Sequence, residues 1–233
     1  MKHHSWVMQQ EWSDLFFLHW PIPEQCLSPV LPEGLKLDLY HQSAWISLVP
    51  FRISRIQPRG LPSLPLLRPF VEINVRTYVR YKEEHGVYFF SLDANHLPAV
   101  LVARKFFTLP YLLSIIRVNK NSQSIHFTSR RIHKDSPPAQ FHAELTPQFP
   151  MITNQKGTLS HWLTERRNLF ICRNNAIYKG SIRHKPWELN EASGTIQTNS
   201  LFDFMPSFNA RVQPLIHYSR NITASIYPLE RMM

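Results

Sequence analysis

The chain has 233 residues, with 26 Lys and Arg against 16 Asp and Glu, a formal charge of +10 and a hydrophobic fraction of 43%. That apolar content excludes a disordered protein and suffices for a sizeable core. The basic residues are dispersed, with Arg130-Arg131, Arg166-Arg167 and Arg183-His184-Lys185 as the densest groups, so nucleic-acid binding and a scaffold role are disfavoured.

Cys26 and Cys172 make neither a disulfide framework nor a zinc motif. The first residues contain no apolar signal region, and no apolar run reaches transmembrane length. The expectation is a soluble cytoplasmic protein with no membrane partner, holding both cysteines as buried thiols.

Residues 15–20 read as a short apolar strand ended by Pro21-Ile22-Pro23. Pro23 then opens a helix with Glu24 in its first turn, where a carboxylate complements the dipole. Leu27, Val30 and Leu31 give its apolar face, and Pro32-Glu33-Gly34 stops it. Residues 35–40 and 44–53 are expected to pair around His41-Gln42-Ser43, and a proline-punctuated loop covers 57–69. Residues 70–80 alternate with period two, as a half-buried strand does. Glu83-Glu84-His85-Gly86 turns the chain into a partner strand at 87–92.

Pro98 can start a helix through Phe107, with Ala99, Val102, Ala103 and Phe106 at helical spacing. The second half reads mostly as strands, at 111–118, 124–131, 139–145, 168–172, 176–184, 194–198, 212–219 and 223–227. Short helices are expected near 159–163 and 200–204. No repeat or linker divides the chain, so one domain over 1–233 is expected. Many strands with few helices imply a mainly β fold, its sheet closed or nearly closed so that edges are removed.

The strand at 70–80 carries the chemistry. Glu72, Asn74 and Arg76 lie in a row on its polar face. Glu72 and Arg76 are about 13 Å apart along an extended strand, so each needs a partner from elsewhere or a ligand. If the apolar face packs on helices, the polar face turns inward. Arg76 can then hold a carboxylate with two parallel hydrogen bonds, beside Asn74. Glu72, its pKa raised by burial, can act as a general acid or base. The competing arrangement is an outward face with cross-strand charge pairs.

Arg52 and Asp93 are weaker ligand candidates: the first suits a surface charge equally, the second a turn or helix cap. The twelve histidines show no helical metal-ligand spacing, and no nucleophile elbow, Walker loop or dinucleotide fingerprint is present. Neither a metal nor a cofactor is expected.

Phe17-Leu18-His19-Trp20-Pro21-Ile22-Pro23, Leu31-Pro32-Glu33-Gly34-Leu35, Val49-Pro50-Phe51-Arg52 and Glu72-Ile73-Asn74-Val75-Arg76-Thr77-Tyr78 resemble the YqjF-like family of uncharacterised proteins. So do Phe90-Ser91-Leu92-Asp93-Ala94, Leu109-Pro110-Tyr111, Leu163-Thr164-Glu165-Arg166, Pro186-Trp187 and His217-Tyr218-Ser219-Arg220. That family is distantly similar to acetoacetate decarboxylase. The similarity implies a β-rich antiparallel cone or barrel with a polar interior and a few short helices, and it leaves a homo-oligomer open.

Glu72 matches the decarboxylase's strand glutamate, Leu92-Asp93 its Leu-Asp pair, and Arg104 and Pro110 its helix markers. Tyr111-Leu112 stand where the decarboxylase has its lysine pair. The decarboxylase lysine attacks a ketone as an amine, whereas a phenol is a poor nucleophile and a fair hydrogen-bond donor. The resemblance therefore implies an acid/base catalyst of the lyase or hydrolase type, acting on a small acidic or keto-type molecule without a Schiff base. Glu72 would move the proton and Tyr111 donate a hydrogen bond. The alternative is a non-catalytic binder of the same metabolites.

Overall fold

The computed structural model describes residues 5–61, 68–205, 208 and 212–232. In the first half, β1 (Met8–Ile22) leads through α1 (Glu24–Leu27) to β2 (Lys36–Leu37), β3 (Ala44–Pro58), β4 (Phe70–Tyr81) and β5 (Glu84–Ala94). Then come α2 (Leu97–Phe107), β6 (Tyr111–Lys120), β7 (Ile125–Arg131), β8 (Gln140–Ile152) and α3 (Leu159–Thr164). The chain ends with β9 (Asn168–Arg173), β10 (Ala176–Arg183), β11 (Leu189–Asn199), β12 (Leu215–Ile226) and β13 (Glu230–Arg231).

All thirteen strands belong to one sheet, ordered β13-β10-β9-β5-β6-β7-β8-β11-β12-β1-β3-β4-β2, and it closes on itself through two further pairings, β4 with β5 and β10 with β12. Two strands fork. The start of β5 pairs with β9 at Val87 and Tyr88, while its end pairs with β6 from Leu92 to Ala94, both in parallel. The end of β12 pairs with β10 at Ser225 and Ile226, while its start pairs with β11 at His217 and Tyr218. Strands β12, β1, β3, β4 and β5 thus form a wall common to two compartments. Side chains alternate across a strand, so one set of residues on this wall faces each compartment.

One compartment is packed. Phe16, Leu18 and Trp20 of β1, Ile46 and Leu48 of β3, and Ile73 and Val75 of β4 meet Phe127, Phe141 and Leu145 from β7 and β8. Phe16 sits edge-on to Phe127 at 6.0 Å between ring centres, and Trp20 to Phe202 at 5.1 Å, a geometry that adds to area burial. The other compartment takes the alternate residues, among them Leu15 and Phe17 of β1, Val49 and Phe51 of β3 and Phe70 of β4.

This arrangement corrects the expectation for β4. Its apolar face packs on strands rather than on helices, and both faces are buried from Phe70 to Val79. Neighbouring expectations also change. Residues 35–40 and 44–53 do not pair. Tyr40 and Ser43 close a tight turn with His41 and Gln42 at positive φ, and β2 pairs with β4 instead. The two strands expected at 212–219 and 223–227 are one continuous β12, and residues 201–204 form turns rather than a helix. In α2, Ala99 is buried while Phe106 is 66% exposed. Both cysteines are only partly buried. Part of the loop expected at 57–69 lies outside the described residues. No helix of the described residues is long and apolar enough to cross a membrane.

A close backbone approach explains Gly86. A side-chain carbon there would lie 2.6 Å from the Asn168 carbonyl oxygen, so any larger residue pushes β9 off β5 and opens the second compartment.

Candidate functional site

The second compartment holds a cavity of about 190 Å³. Its floor is apolar, with Trp12, Phe17, Phe51, Phe70 and Trp187 among the lining side chains, and α2 contributes Ala99, Val102 and Ala103. Against this floor β4 sets Glu72, Asn74 and Arg76, which are 2%, 6% and 9% exposed.

Tyr111, at the start of β6, also lines the cavity. Its backbone carbonyl accepts from Arg104 Nη1 at 2.8 Å, so the last turn of α2 fixes where β6 begins. The Tyr111 hydroxyl donates to Glu72 Oε2 at 2.7 Å. Burial pushes the Glu72 carboxyl up to about 7; the donors Tyr111 and Asn74 pull it back, and the Asp93 charge adds to the rise. Tyr111 is pushed well above the usual phenol value by burial and by Glu72, so it stays a proton donor. The result is a carboxyl poised between its two forms near neutrality, on a fixed hydrogen bond.

Arg76 lies further along the same wall. Its Nη2 donates to the Leu163 carbonyl at 3.3 Å. Arg166 Nε donates to Trp162 O at 2.7 Å and Trp187 Nε1 to Thr164 O at 2.9 Å. The last carbonyls of α3, which have no intrahelical partners, are thus capped by two cations and an indole. This capping is a sufficient structural reason for Arg76 to point inward. It leaves Arg76 Nε without a partner among the described residues, and the same holds for Arg166 Nη2.

Beyond Arg76 the wall becomes a polar tier. His19 Nδ1 contacts Ser47 Oγ at 2.7 Å, Ser47 Oγ contacts the Tyr78 hydroxyl at 2.6 Å, and the His19 and His217 rings are 5.5 Å apart. Burial, then the neighbouring His217 and Arg76, hold His19 well below the usual imidazole range. Burial brings His217 down to about 4. Both imidazoles are neutral at pH 7.

Of the residues singled out in the sequence, Glu72, Asn74, Arg76 and Tyr111 come together on the cavity wall. Arg52 and Asp93 do not. Arg52 lies on the β3 face opposite Phe51 and is half-buried. Asp93 is fully buried, but Arg131 grips both its oxygens at 2.8 Å and Ser114 donates to one at 2.6 Å. Arg131 is therefore the neutralising partner of Asp93 rather than a solvated charge. The α2 cap is His96, which accepts from Ala99 N, while Asn95 ties β4 to β6. Arg166, Trp187 and the His19 tier were given no role in the sequence. Their only signal was membership in the segments that carried the family resemblance.

No lysine lines the cavity among the described residues, so no amine stands where an imine could form. Ser181 lines it, but its hydroxyl donates to Asn168 rather than to a base.

Known proteins agree with this architecture. A 40% identical relative is the uncharacterized protein YqjF of Bacillus subtilis (strain 168), aligned over 226 residues that cover 97% of this chain and 93% of the relative. Among solved structures, acetoacetate decarboxylase from Legionella pneumophila is similar with TM-score 0.62 at 14% identity, covering 100% of this chain and 90% of that one. An acetoacetate decarboxylase-like enzyme from Sphingomonas wittichii RW1 gives TM-score 0.66 at 11% identity, covering 98% and 94%. The enduracididine biosynthesis enzyme MppR, complexed with pyruvate, gives 0.65 at 9%, covering 98% and 91%. These likenesses establish an acetoacetate decarboxylase-like fold. The DUF2071 family model, described as an uncharacterized conserved protein, matches residues 9–223, and the chain belongs to that family.

Proposed function

We propose that the cavity performs acid/base chemistry of the lyase or hydrolase type on a small keto- or hydroxy-bearing organic acid, without a covalent intermediate on lysine. The carrying observation is Glu72, buried in an apolar cavity with its pKa raised to about 7 and hydrogen-bonded by Tyr111 at 2.7 Å. A carboxyl near pKa 7 can both take and return a proton at neutral pH. Tyr111 keeps the carboxyl oriented and can donate to a substrate oxygen when Glu72 is protonated. Arg76, with its free Nε, supplies the grip for an acidic group. The pyruvate held by MppR supports screening keto acids first.

The test is turnover of a keto- and hydroxy-acid panel by wild type, Glu72→Gln and Tyr111→Phe. Loss of at least about a hundredfold in kcat on Glu72→Gln is expected for a general acid/base. Unchanged turnover in that variant sinks the assignment. Borohydride trapping of a protein adduct with a β-keto acid would overturn the non-covalent route. Among the described residues the cavity wall carries neither a lysine nor a base-activated hydroxyl, which favours a second reading, a non-catalytic metabolite binder. Tight binding with no turnover by wild type, retained in Glu72→Gln, would select it.

A further inference from the structure

The cationic end of the cavity is built from two elements. Arg76 comes from β4, and Arg166 follows α3. Their guanidinium carbons lie 5.9 and 5.2 Å from the centre of the Tyr78 ring, so two cations share one phenol. Arg166 also stacks on Trp162 at 4.1 Å. Both are more than nine-tenths buried: Arg76 is 9% exposed and the Arg166 side chain 6%. Asp38 pairs with Arg166, whereas among the described residues no carboxylate pairs with Arg76. Each guanidinium keeps one buried N–H with no acceptor among the described residues, Nε on Arg76 and Nη2 on Arg166. A buried unmade donor and an uncompensated buried charge are both costly. An anion with two oxygens lodged between the guanidiniums would offer one acceptor to each of these N–H groups and remove both costs.

The opposite end sets the rest of the ligand. Glu72 adds no cation, and beside it the lining includes Phe51, Phe70 and Trp12. Acetate or acetoacetate at the arginines would leave this floor empty. A second acidic group would meet the Glu72 carboxyl and apolar rings.

We propose that Arg76 and Arg166 form a two-arginine clamp for a single carboxylate, and that its ligand is a monocarboxylic acid with an aryl or medium-length alkyl body. The proposal rests on the cavity being a ligand site, as in the function above, but it does not depend on turnover. It adds Arg166 to the site and gives the keto or hydroxy acid proposed above a single carboxylate and an apolar body.

Phenylacetate, octanoate, acetate and neutral phenylacetamide are the probes, titrated into the full chain by calorimetry and by the fluorescence of Trp12 and Trp187. Phenylacetate should bind at least about tenfold more tightly than acetate, because its ring removes apolar area from water. It should exceed phenylacetamide by a similar factor, because only the acid satisfies the clamp. Arg76→Lys and Arg166→Lys keep the charge and lose the fork; each should weaken phenylacetate about tenfold. Arginine Nε resonances provide a readout without mutation. The buried Arg76 Nε signal should move with phenylacetate and stay put with phenylacetamide. Equal binding of acid and amide, equal binding of acetate and phenylacetate, or an unmoved Arg76 Nε signal overturns the proposal. Phenylacetate has no keto or hydroxyl group for Glu72 to act on, so its binding reads the clamp alone. A failure of the acid/base reading leaves this result intact.

Discussion

The two compartments share five strands and differ in what fills them. On the packed side, alternate residues of β1, β3, β4 and β12 interlock with β7 and β8 as aromatic rings and aliphatic chains. On the cavity side, the intervening residues of the same strands leave about 190 Å³ open and place a carboxyl, a guanidinium and two imidazoles against it or beyond it. On β1, β3 and β4, packing and polar burial are thus separated by a two-residue parity; β5 departs from it, sending Asp93 to the packed side, where Arg131 neutralises it. Stability can be concentrated on one face, which lets the other carry groups that cost stability.

That contrast can be broken most directly by truncation. Phe127→Ala, in the packed compartment and 1% exposed, is expected to cost about 3–5 kcal/mol in urea unfolding, because it removes transfer energy and leaves a new void. Phe51→Ala, on the cavity wall, enlarges a space that already exists and should cost about half as much. Equal losses would mean that the cavity side is packed as tightly as its neighbour.

The next effect is electrostatic. Burial raises the Glu72 pKa in the folded protein from an ordinary 4.5 to about 7. Its stabilising contribution is fully present below pH 4.5 and is lost as pH rises through 7. Glu72→Gln should therefore gain up to about 3 kcal/mol over wild type at pH 8 and nothing at pH 4. A pH-independent difference between the two proteins would contradict the burial of a titrating carboxyl.

His217 runs in the opposite direction. Burial lowers its folded pKa from an ordinary 6.5 to about 4, so stability present above pH 6.5 is lost as pH falls toward 4. A His217→Asn variant should lose less stability than wild type across that window, by up to about 3 kcal/mol. Parallel pH profiles for the two proteins would show that the ring is already charged or solvated. The smallest effect is expected for Tyr111→Phe, which removes a donor to the ionised Glu72 and should cost about 1.5–3 kcal/mol at pH 8, less at pH 4. A carbon-detected titration should also find the Glu72 midpoint higher than in wild type.

The mainly β fold was legible in the many short strand patterns, and the row of polar residues on β4 in their period of two. The alternation from Phe70 to Arg80 marked Glu72, Asn74 and Arg76 as one row, because period two is a local property of a strand. What packs on the other face is not local, and helices were expected where strands β7 and β8 lie. Asp93 could not be separated from the true cavity residues, because its partner Arg131 is 38 residues away on another strand. Arg166 was illegible for the same reason: its burial arises from Asp38, 128 residues earlier, and from α3 folding over Tyr78. The fork in β5 is equally long-range, since it depends on Gly86 admitting β9.

The shared wall also bears on how the protein can change over generations. Along β4, Val71, Ile73 and Val75 answer to the packed side, while Glu72, Asn74 and Arg76 answer to the cavity. A complete substitution library of this strand should give a comb, with odd positions restricted by volume and even positions by chemistry. A single-residue insertion would exchange the two sets and abolish both roles together. Drift toward a new ligand is therefore open only to paired exchanges on the even teeth, which leave the odd ones in place.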